Sequence, residues 1–281
     1  MHRLTLSFAV IVISLLLMTA CTSTTSAEDG TSGQDYDTNT PGMDQNPDED
    51  TEIEPVLEDT TGWQAPEGRA PRFVFVHHST GSGFMFDGGM ADMLEEAGFE
   101  VHSRTYGDGW VGDNTNPDHF PVTFTEHFED LITWDLDEGE YYDIVAFKSC
   151  YPASNICSDE KLEQYKGYYE TVRDVTREHP EILFVPMSTP PLVPGATERH
   201  CAERARQFAN WLVNVYPVDE GNMAVFNLFE ILAGDDSNSD DFNCLKSEYQ
   251  RNASDSHPNH DANVAVAERF TQWLNWIVFG E

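Results

Sequence analysis

A serine at the end of an apolar run is the first residue of this chain whose position suggests chemistry. Residues 73–76 read Phe-Val-Phe-Val and lead directly to His77, His78 and Ser79, which a glycine-rich turn follows. This pattern is typical of a buried parallel strand that ends at a strand-to-helix turn, and open α/β sheets place reactive groups at that edge. Ser79 is therefore the candidate nucleophile. The alternative is that its hydroxyl only caps the following helix.

A candidate base for this serine lies near the other end of the chain, in the sequence Asp-Ser-His-Pro at residues 255–258. A serine hydroxyl needs a base to take its proton, and a histidine base needs a carboxylate that holds its tautomer and orientation. Asp255 and His257 supply both groups, because in a loop that leads into a helix both side chains can point at one site. With Ser79 they predict a Ser-His-Asp hydrolase.

From about residue 71 onward the chain resembles the SGNH/GDSL-type hydrolases, which are esterases, acyl hydrolases or acyltransferases. The resemblance rests on the early Ser79, the late Asp255 and His257 with the Pro-Asn that follows, and the strands between them. It implies a three-layer, flavodoxin-like α/β fold around a parallel sheet of about five strands. The spacing with one residue between Asp and His resembles the branch whose members transfer or remove acetyl groups on polysaccharides.

Two parts of the resemblance depart from the family pattern. The family's first block is Gly-Asp-Ser, whereas this chain has His77-His78-Ser79, and the family's Gly-x-Asn-Asp block does not occur here. By resemblance, the oxyanion would be held by the backbone of Ser79, by Gly107 or Gly109 and by Asn155, the nearest amide after the central strand. Each glycine can equally belong to a plain turn.

The apolar periodicity predicts alternating strands and helices in one domain of residues 71–281. The predicted strands are 72–76, 99–106, 143–148, 182–187 and 223–229. The predicted helices are 83–97, 158–178, 197–215 and 262–278. Lys148, at the end of the central strand, is interpreted as solvated.

The residues before this domain predict export and a tether. Residues 1–20 have a basic start and a short apolar stretch, which is typical of a secretory signal. The small residues before Cys21 resemble a lipobox, with Cys21 lipidated at an outer-membrane or cell-surface site; the alternative is an ordinary signal peptide. Residues 21–70 are predicted to be a disordered tether, since twelve Asp or Glu and no Lys or Arg lie between residues 22 and 66.

Four cysteines remain after Cys21, and an exported domain with an even number is expected to form disulfides. We predict the pairs Cys150–Cys157 and Cys201–Cys244, of three possible pairings. The rival interpretation makes Cys150 a nucleophile at a strand end. A zinc site with His77, His78 and His257 is not predicted, because adjacent histidines on a strand point to opposite faces.

The charge of the chain limits its partners. Fifty acidic residues against fifteen Lys and Arg give a formal charge of −35, which disfavours nucleic acid and anionic membrane as direct partners. We expect a monomer without a metal or cofactor that acts on a carbohydrate or small-molecule acyl ester. Two hypotheses stay open: a cell-surface serine esterase or O-acyltransferase, and a surface-tethered binding lipoprotein without turnover.

Overall fold

The computed structural model describes residues 61–105, 110 and 115–280. The predicted signal peptide, the lipidation site Cys21 and most of the tether lie outside the described residues, as do Gly107 and Gly109. In the described ranges, none of the helices combines the length and the apolar character that a membrane span requires.

A parallel sheet forms the centre of the fold. Its strands are β1 (Arg72–Val76), β2 (Glu100–Arg104), β3 (Ile144–Lys148) and β4 (Leu183–Met187). The order is β2-β1-β3-β4, and every neighbouring pair is parallel. The predicted fifth strand contributes only two parallel bridges beyond β4, through Met223 and Phe226. A separate antiparallel pair follows, made of β5 (Gln250–Asn252) and β6 (Asp255–Pro258).

Helices cover both faces of the sheet. They are α1 (Thr80–Ser82), α2 (Met90–Glu96), α3 (Phe120–Glu126), α4 (Phe128–Thr133), α5 (Asp159–Thr176), α6 (Arg199–Asn214), α7 (Leu228–Leu232) and α8 (His260–Phe279). A π-helical turn spans Gly83–Asp87, and 3₁₀ turns span Tyr151–Ser154, Pro194–Ala196 and Ser247–Tyr249. The prediction of one continuous helix over 83–97 is therefore wrong, because the segment forms a π-helical turn followed by the separate helix α2. It breaks at Gly88 and Gly89, and Gly89 has a φ of 78°.

Two hydrophobic cores explain why the strands are apolar without alternation. Phe73 and Phe75 of β1 pack with side chains of α2, α7 and α8, whereas Val74 and Val76 pack with side chains of α3, α4, α5 and α6. Because successive side chains of a strand point to opposite faces, a strand between two helical layers must be apolar throughout. The predicted three-layer α/β class is confirmed, with four strands in place of about five.

The stretch before β1 already packs against the domain. Gly62 donates its backbone N–H to the carbonyl of Gly221 at 2.8 Å, and the Trp63 indole donates to the carbonyl of Glu181 at 2.9 Å. Arg69 forms a two-point ion pair with the buried Asp143, at 2.5 and 2.7 Å. Residues 61–70, assigned to the tether by the sequence, thus share contacts with the folded part.

Candidate active site

Ser79 occupies the turn between β1 and α1, where the sequence predicts it. The turn is tight because Gly81 lies against His77: a Cβ on Gly81 would come within 2.4 Å of the His77 Cβ. Ser79 stands at the N-cap position of α1, but its side chain makes no capping hydrogen bond. Its hydroxyl instead lies 2.9 Å from the sulfur of Cys150. The interpretation of Ser79 as a simple helix cap is therefore wrong.

His77 is a buried structural residue. Its Nε2 lies 2.9 Å from the Ser103 hydroxyl, and its ring packs beside Phe75. Burial, with a further contribution from the charge of Lys148, lowers the pKa of His77 to about 3. A histidine with this pKa is neutral at physiological pH, so it adds no charge to the site.

Asp255 and His257 form the predicted acid–base pair, but on a strand and not in a loop. Both belong to β6, where residues two apart share a face. Asp255 Oδ1 lies 2.6 Å from His257 Nδ1 and also accepts the backbone N–H of His257 at 3.0 Å. These two hydrogen bonds, the backbone one first, lower the pKa of Asp255. The carboxylate is thus held ionised beside the imidazole.

The neighbours of this pair fix the strand that carries it. Ser256 points to the opposite face, is buried, and accepts the backbone N–H of Val193 at 3.1 Å. Asn259, directly after β6, caps α8 by accepting the backbone N–H of Ala262 at 3.0 Å. Strand β6 is therefore anchored on both sides of His257.

Two consecutive residues after β3 connect the serine to the histidine. Cys150 contacts the Ser79 hydroxyl, and the ring of Tyr151 lies edge-on to the imidazole of His257, with ring centroids 4.9 Å apart. Within the described part of the chain no hydrogen bond joins Ser79 to His257. Catalytic hydrogen bonds are often long before substrate binds, so the lack of this bond does not exclude a proton relay between the two residues.

A second connection lies between the helices that follow the two candidate residues. Asp87, at the end of the π-helical turn, accepts a hydrogen bond from Asn263 Nδ2 at 2.7 Å and lies 3.2 Å from His260 Nδ1. Gly88 permits this approach, since a Cβ there would come within 2.3 Å of the Asn263 carbonyl oxygen. The start of α8 is thereby held against the turn that follows Ser79.

Asn155 lies in the segment between β3 and α5, and its side-chain oxygen is already hydrogen-bonded. Asn155 Oδ1 accepts the Thr197 hydroxyl at 3.0 Å and lies 3.3 Å from the Cys157 sulfur. Its Nδ2 is the atom that would have to donate to an oxyanion. The oxyanion role of Asn155 stays a prediction, and so do those of Gly107 and Gly109 and of the Ser79 N–H.

Lys148 is buried, so its interpretation as a solvated strand end is wrong. Its side chain has no exposed surface, and Nζ donates to the Thr80 hydroxyl at 2.5 Å and to the Ser149 carbonyl at 3.4 Å. Burial lowers the pKa of Lys148 to about 8, against the opposing effect of Cys150. A titratable cation thus contacts Thr80, the residue that follows Ser79.

The predicted disulfide pairs are wrong. Cys157 is bonded to Cys201, and Cys150 and Cys244 are buried free thiols. Cys157 lies just before α5 and Cys201 in the first turn of α6, and these two helices pack side by side. Cys150 points instead toward β1 and the serine.

His200 lies near the disulfide, which makes Cys157, His200 and Cys201 the one compact group of possible metal ligands in the described residues. Its two sulfurs are bonded to each other.

The sequence analysis did not predict that three further residues belong to the site. Thr80 contacts the Cys150 sulfur, Lys148 donates to Thr80, and Tyr151 contacts the His257 ring. Each lies within two residues of a predicted site residue or a strand end. Only Lys148 could have been found from the sequence. It is a charged residue at the end of a strand that is buried on both faces, and such a strand end lies at the edge of the sheet where the site is expected.

Comparisons with known proteins agree with this architecture. No family model matches the sequence, and the search of curated proteins returned no match. A solved structure of a candidate acylhydrolase from Bacteroides fragilis matches with a TM-score of 0.50 and 13% identity, over 81% of this chain and 98% of that chain. A GDSL-like lipase from Bacteroides thetaiotaomicron matches with a TM-score of 0.45 and 12% identity, over 72% and 86%. The chain therefore shares the three-layer α/β fold of that acylhydrolase structure.

Proposed function

We propose that the chain is a serine esterase that uses Ser79, His257 and Asp255 as a catalytic triad. The observation that supports it most is convergence: Ser79 at the end of β1 and the Asp255–His257 pair on β6 are linked by Cys150 and Tyr151, which contact Ser79 and His257 respectively. An acyl-hydrolase fold alone would not require a hydrogen-bonded Asp–His pair next to these residues.

The proposed reaction follows the general scheme of serine acyl transfer. Ser79 Oγ attacks the ester carbonyl while His257 accepts its proton, and the imidazolium then returns the proton to the leaving alcohol. Asp255 holds the proton-bearing Nδ1, which leaves Nε2 to face the serine. The oxyanion would be held by the Ser79 N–H, by the N–H of Gly107 or Gly109, and by Asn155.

The substrate class we propose is a carbohydrate or small-molecule acyl ester. The chain carries a formal charge of −35, which disfavours polyanionic substrates but leaves neutral esters unaffected. Water or a sugar hydroxyl would accept the acyl group, so an O-acyltransferase of the same fold is compatible with the same triad. Product analysis with and without added sugar acceptors distinguishes the two.

The deciding experiment is turnover of p-nitrophenyl acetate by the full chain and by Ser79→Ala. We expect the substitution to nearly abolish turnover, since the nucleophile and its base act as one unit. Ser82→Ala is the matched control, because it removes another hydroxyl of the same turn, and it should keep wild-type activity. A Ser79→Ala protein that retained most of its activity would remove this serine from the mechanism. A wild-type protein without turnover on any acyl ester would favour the binding lipoprotein.

The location we propose is the cell surface, through a lipid on Cys21. A diacylated or triacylated cysteine anchors a protein far more firmly than a single short acyl chain. Cys21→Ser should move the protein from the membrane fraction to the soluble fraction without changing its esterase rate. A variant that stayed as firmly bound as the wild type would contradict the lipid anchor.

A further inference from the structure

The sulfur of Cys150 is the closest polar partner of the candidate nucleophile. It lies 2.9 Å from Ser79 Oγ and 3.8 Å from Thr80 Oγ1, and the cysteine is fully buried and free. A sulfur at 2.9 Å from a hydroxyl oxygen is in close contact, so the two groups share a hydrogen. Which of them donates depends on the protonation state of the thiol.

The groups around the sulfur determine that state. Lys148 Nζ donates to Thr80 Oγ1, so this oxygen acts as an acceptor and the Thr80 hydroxyl hydrogen is available to the sulfur. Burial would raise the pKa of the Cys150 thiol, but the charge of Lys148 and the hydrogen bonds from Ser79 and Thr80 together outweigh it and lower the pKa. These contacts favour the thiolate, which can only accept.

The second free cysteine shows that burial alone does not produce this effect. Cys244 is also buried, but its nearest charge is the carboxylate of Asp241, and burial raises its pKa to about 11. The pKa of Cys150 is therefore lowered, whereas that of Cys244 is raised. The difference follows from the charge of Lys148 and from the hydroxyls of Ser79 and Thr80, which are near Cys150 only.

We propose that Cys150 is a positioning residue for Ser79, whose sulfur accepts the serine hydroxyl and holds Oγ at the sheet edge, while Thr80 Oγ1 contacts the same sulfur and is itself held by Lys148 Nζ. This inference rests on the proposed esterase function. On substrate binding the hydroxyl turns its hydrogen bond from the sulfur to Nε2 of His257. The O–H bond of Ser79 then breaks, its proton goes to Nε2, the electron pair of Oγ forms the bond to the carbonyl carbon, and the carbonyl π pair moves to the carbonyl oxygen. No oxidant and no second nucleophile is required. The neighbouring Tyr151 contacts the accepting imidazole edge-on, with ring centroids 4.9 Å apart.

The test compares steady-state kinetics of the full chain with those of Cys150→Ala and Cys150→Ser. Cys150→Ala should lower kcat about 10–100-fold with little change in KM, because a loosened nucleophile slows the chemical step and not binding. Cys150→Ser keeps a small acceptor at the same place and should recover part of the loss. Cys244→Ala is the matched control, since it removes the other buried thiol and should leave both constants unchanged. Circular dichroism and thermal melts of each variant show that a loss does not reflect unfolding.

A spectroscopic readout separates positioning from packing. The ultraviolet absorbance of a thiolate is measured against pH. The difference between wild type and Cys150→Ser reports the ionisation of Cys150, and the difference between wild type and Cys244→Ala reports that of Cys244. The Cys150 thiol should ionise at the lower pH. Lys148→Met should move the Cys150 step to higher pH. The other ionisable groups near the sulfur are His77 and His78 at the end of β1 and His257 beyond Tyr151, and His77 is neutral above about pH 3.

Three results would overturn the proposal. The first is an unchanged kcat in a folded Cys150→Ala. The second is a Cys150 step that titrates together with that of Cys244. The third is a covalent acyl group found on Cys150 in the Ser79→Ala protein, which would make the sulfur the nucleophile. A failure of the esterase function itself would look different, because the wild-type protein would then lack the turnover that these comparisons need.

Discussion

The exchange Asp255→Asn tests the orientation of the candidate base more sharply than removal of the base itself. The substitution keeps size and shape but removes the negative charge beside the imidazole. In the best-studied serine triad the same exchange lowers kcat on the order of 10⁴-fold, because the amide presents its NH₂ to the histidine and selects the wrong tautomer.

The structure predicts a smaller loss here. The oxygen that faces His257 Nδ1 also accepts the backbone N–H of His257, at 3.0 Å. A backbone N–H can only donate, so it should hold the amide oxygen of the introduced asparagine at this position and keep the NH₂ group away from the imidazole. The correct tautomer would then survive, and only the charge would be lost.

The magnitude of the charge effect follows from Coulomb's law. For charges about 4 Å apart the attraction is roughly 4 kcal/mol at an effective dielectric constant of about 20 and roughly 1 kcal/mol in water. The Asp255 side chain is 32% exposed, so the effect lies between these limits. Since about 1.4 kcal/mol corresponds to tenfold in rate, we expect kcat to fall by about 5- to 10³-fold.

The assay is p-nitrophenyl acetate hydrolysis by Asp255→Asn, with the exposed Asp261→Asn as the matched control for a lost surface charge. Asp261→Asn should keep the wild-type rate. A loss as large as that of His257→Ala would mean that the amide is flipped and that the backbone contact does not fix it. A rate within twofold of the wild type would mean that the Asp255 carboxylate has no part in the reaction.

Three further predictions concern stability and the oxyanion. Replacing Cys157 and Cys201 together by serine should lower the free energy of unfolding by about 4 kcal/mol, because the disulfide closes a loop with a sequence separation of 44; a thermal melt should shift by roughly 10 °C. His77 stays neutral in the folded state down to about pH 3, but in the unfolded state it binds a proton below about pH 6.5. The free energy of unfolding should therefore fall by about 2 kcal/mol between pH 7 and pH 5. In urea titrations His77→Gln should reduce this dependence on pH. Asn155→Ala should lower kcat by about 10²–10³-fold with KM nearly unchanged; an unchanged kcat would exclude its amide from the oxyanion site.

Much of the sheet could be predicted because its strands are buried on both faces. The runs at β1, β3 and β4 are apolar without interruption, and their predicted bounds agree with the structure to within one residue. Helices α5, α6 and α8 were also predicted, and α5 begins after Ser158, whose hydroxyl accepts the backbone N–H of Lys161. No element was predicted for 120–133, although Phe120, Phe124 and Phe128 recur at helical spacing there.

The errors have a common physical origin in contacts between segments far apart in the chain. The break before α2 depends on Gly88 lying against the Asn263 backbone, which lies 175 residues away in the sequence numbering. The disulfide depends on the packing of α5 against α6, which places Cys157 beside Cys201. The sequence analysis paired Cys157 with its near neighbour Cys150, and nothing in the sequence pattern indicated that Cys201 lies next to Cys157 in the fold. It contained no information that the Cys150 side chain points into the sheet edge.

The buried lysine connects the fold to the proposed mechanism. An ammonium group inside a protein is destabilising unless it is paired and hydrogen-bonded, and every residue of β3 up to Lys148 is buried. Thr80 accepts one hydrogen bond from Lys148. A thiolate at Cys150, which the charge of Lys148 favours by lowering the pKa of the thiol, would supply the compensating charge. Removing the sulfur should then affect the lysine as well as the serine, because an unpaired buried cation loses its proton more easily. The Lys148 amine should accordingly react with a small acylating reagent at lower pH in Cys150→Ala than in the wild type, whereas Cys244→Ala should leave its reactivity unchanged. Equal reactivity in all three proteins would show that the sulfur and the lysine do not form a pair.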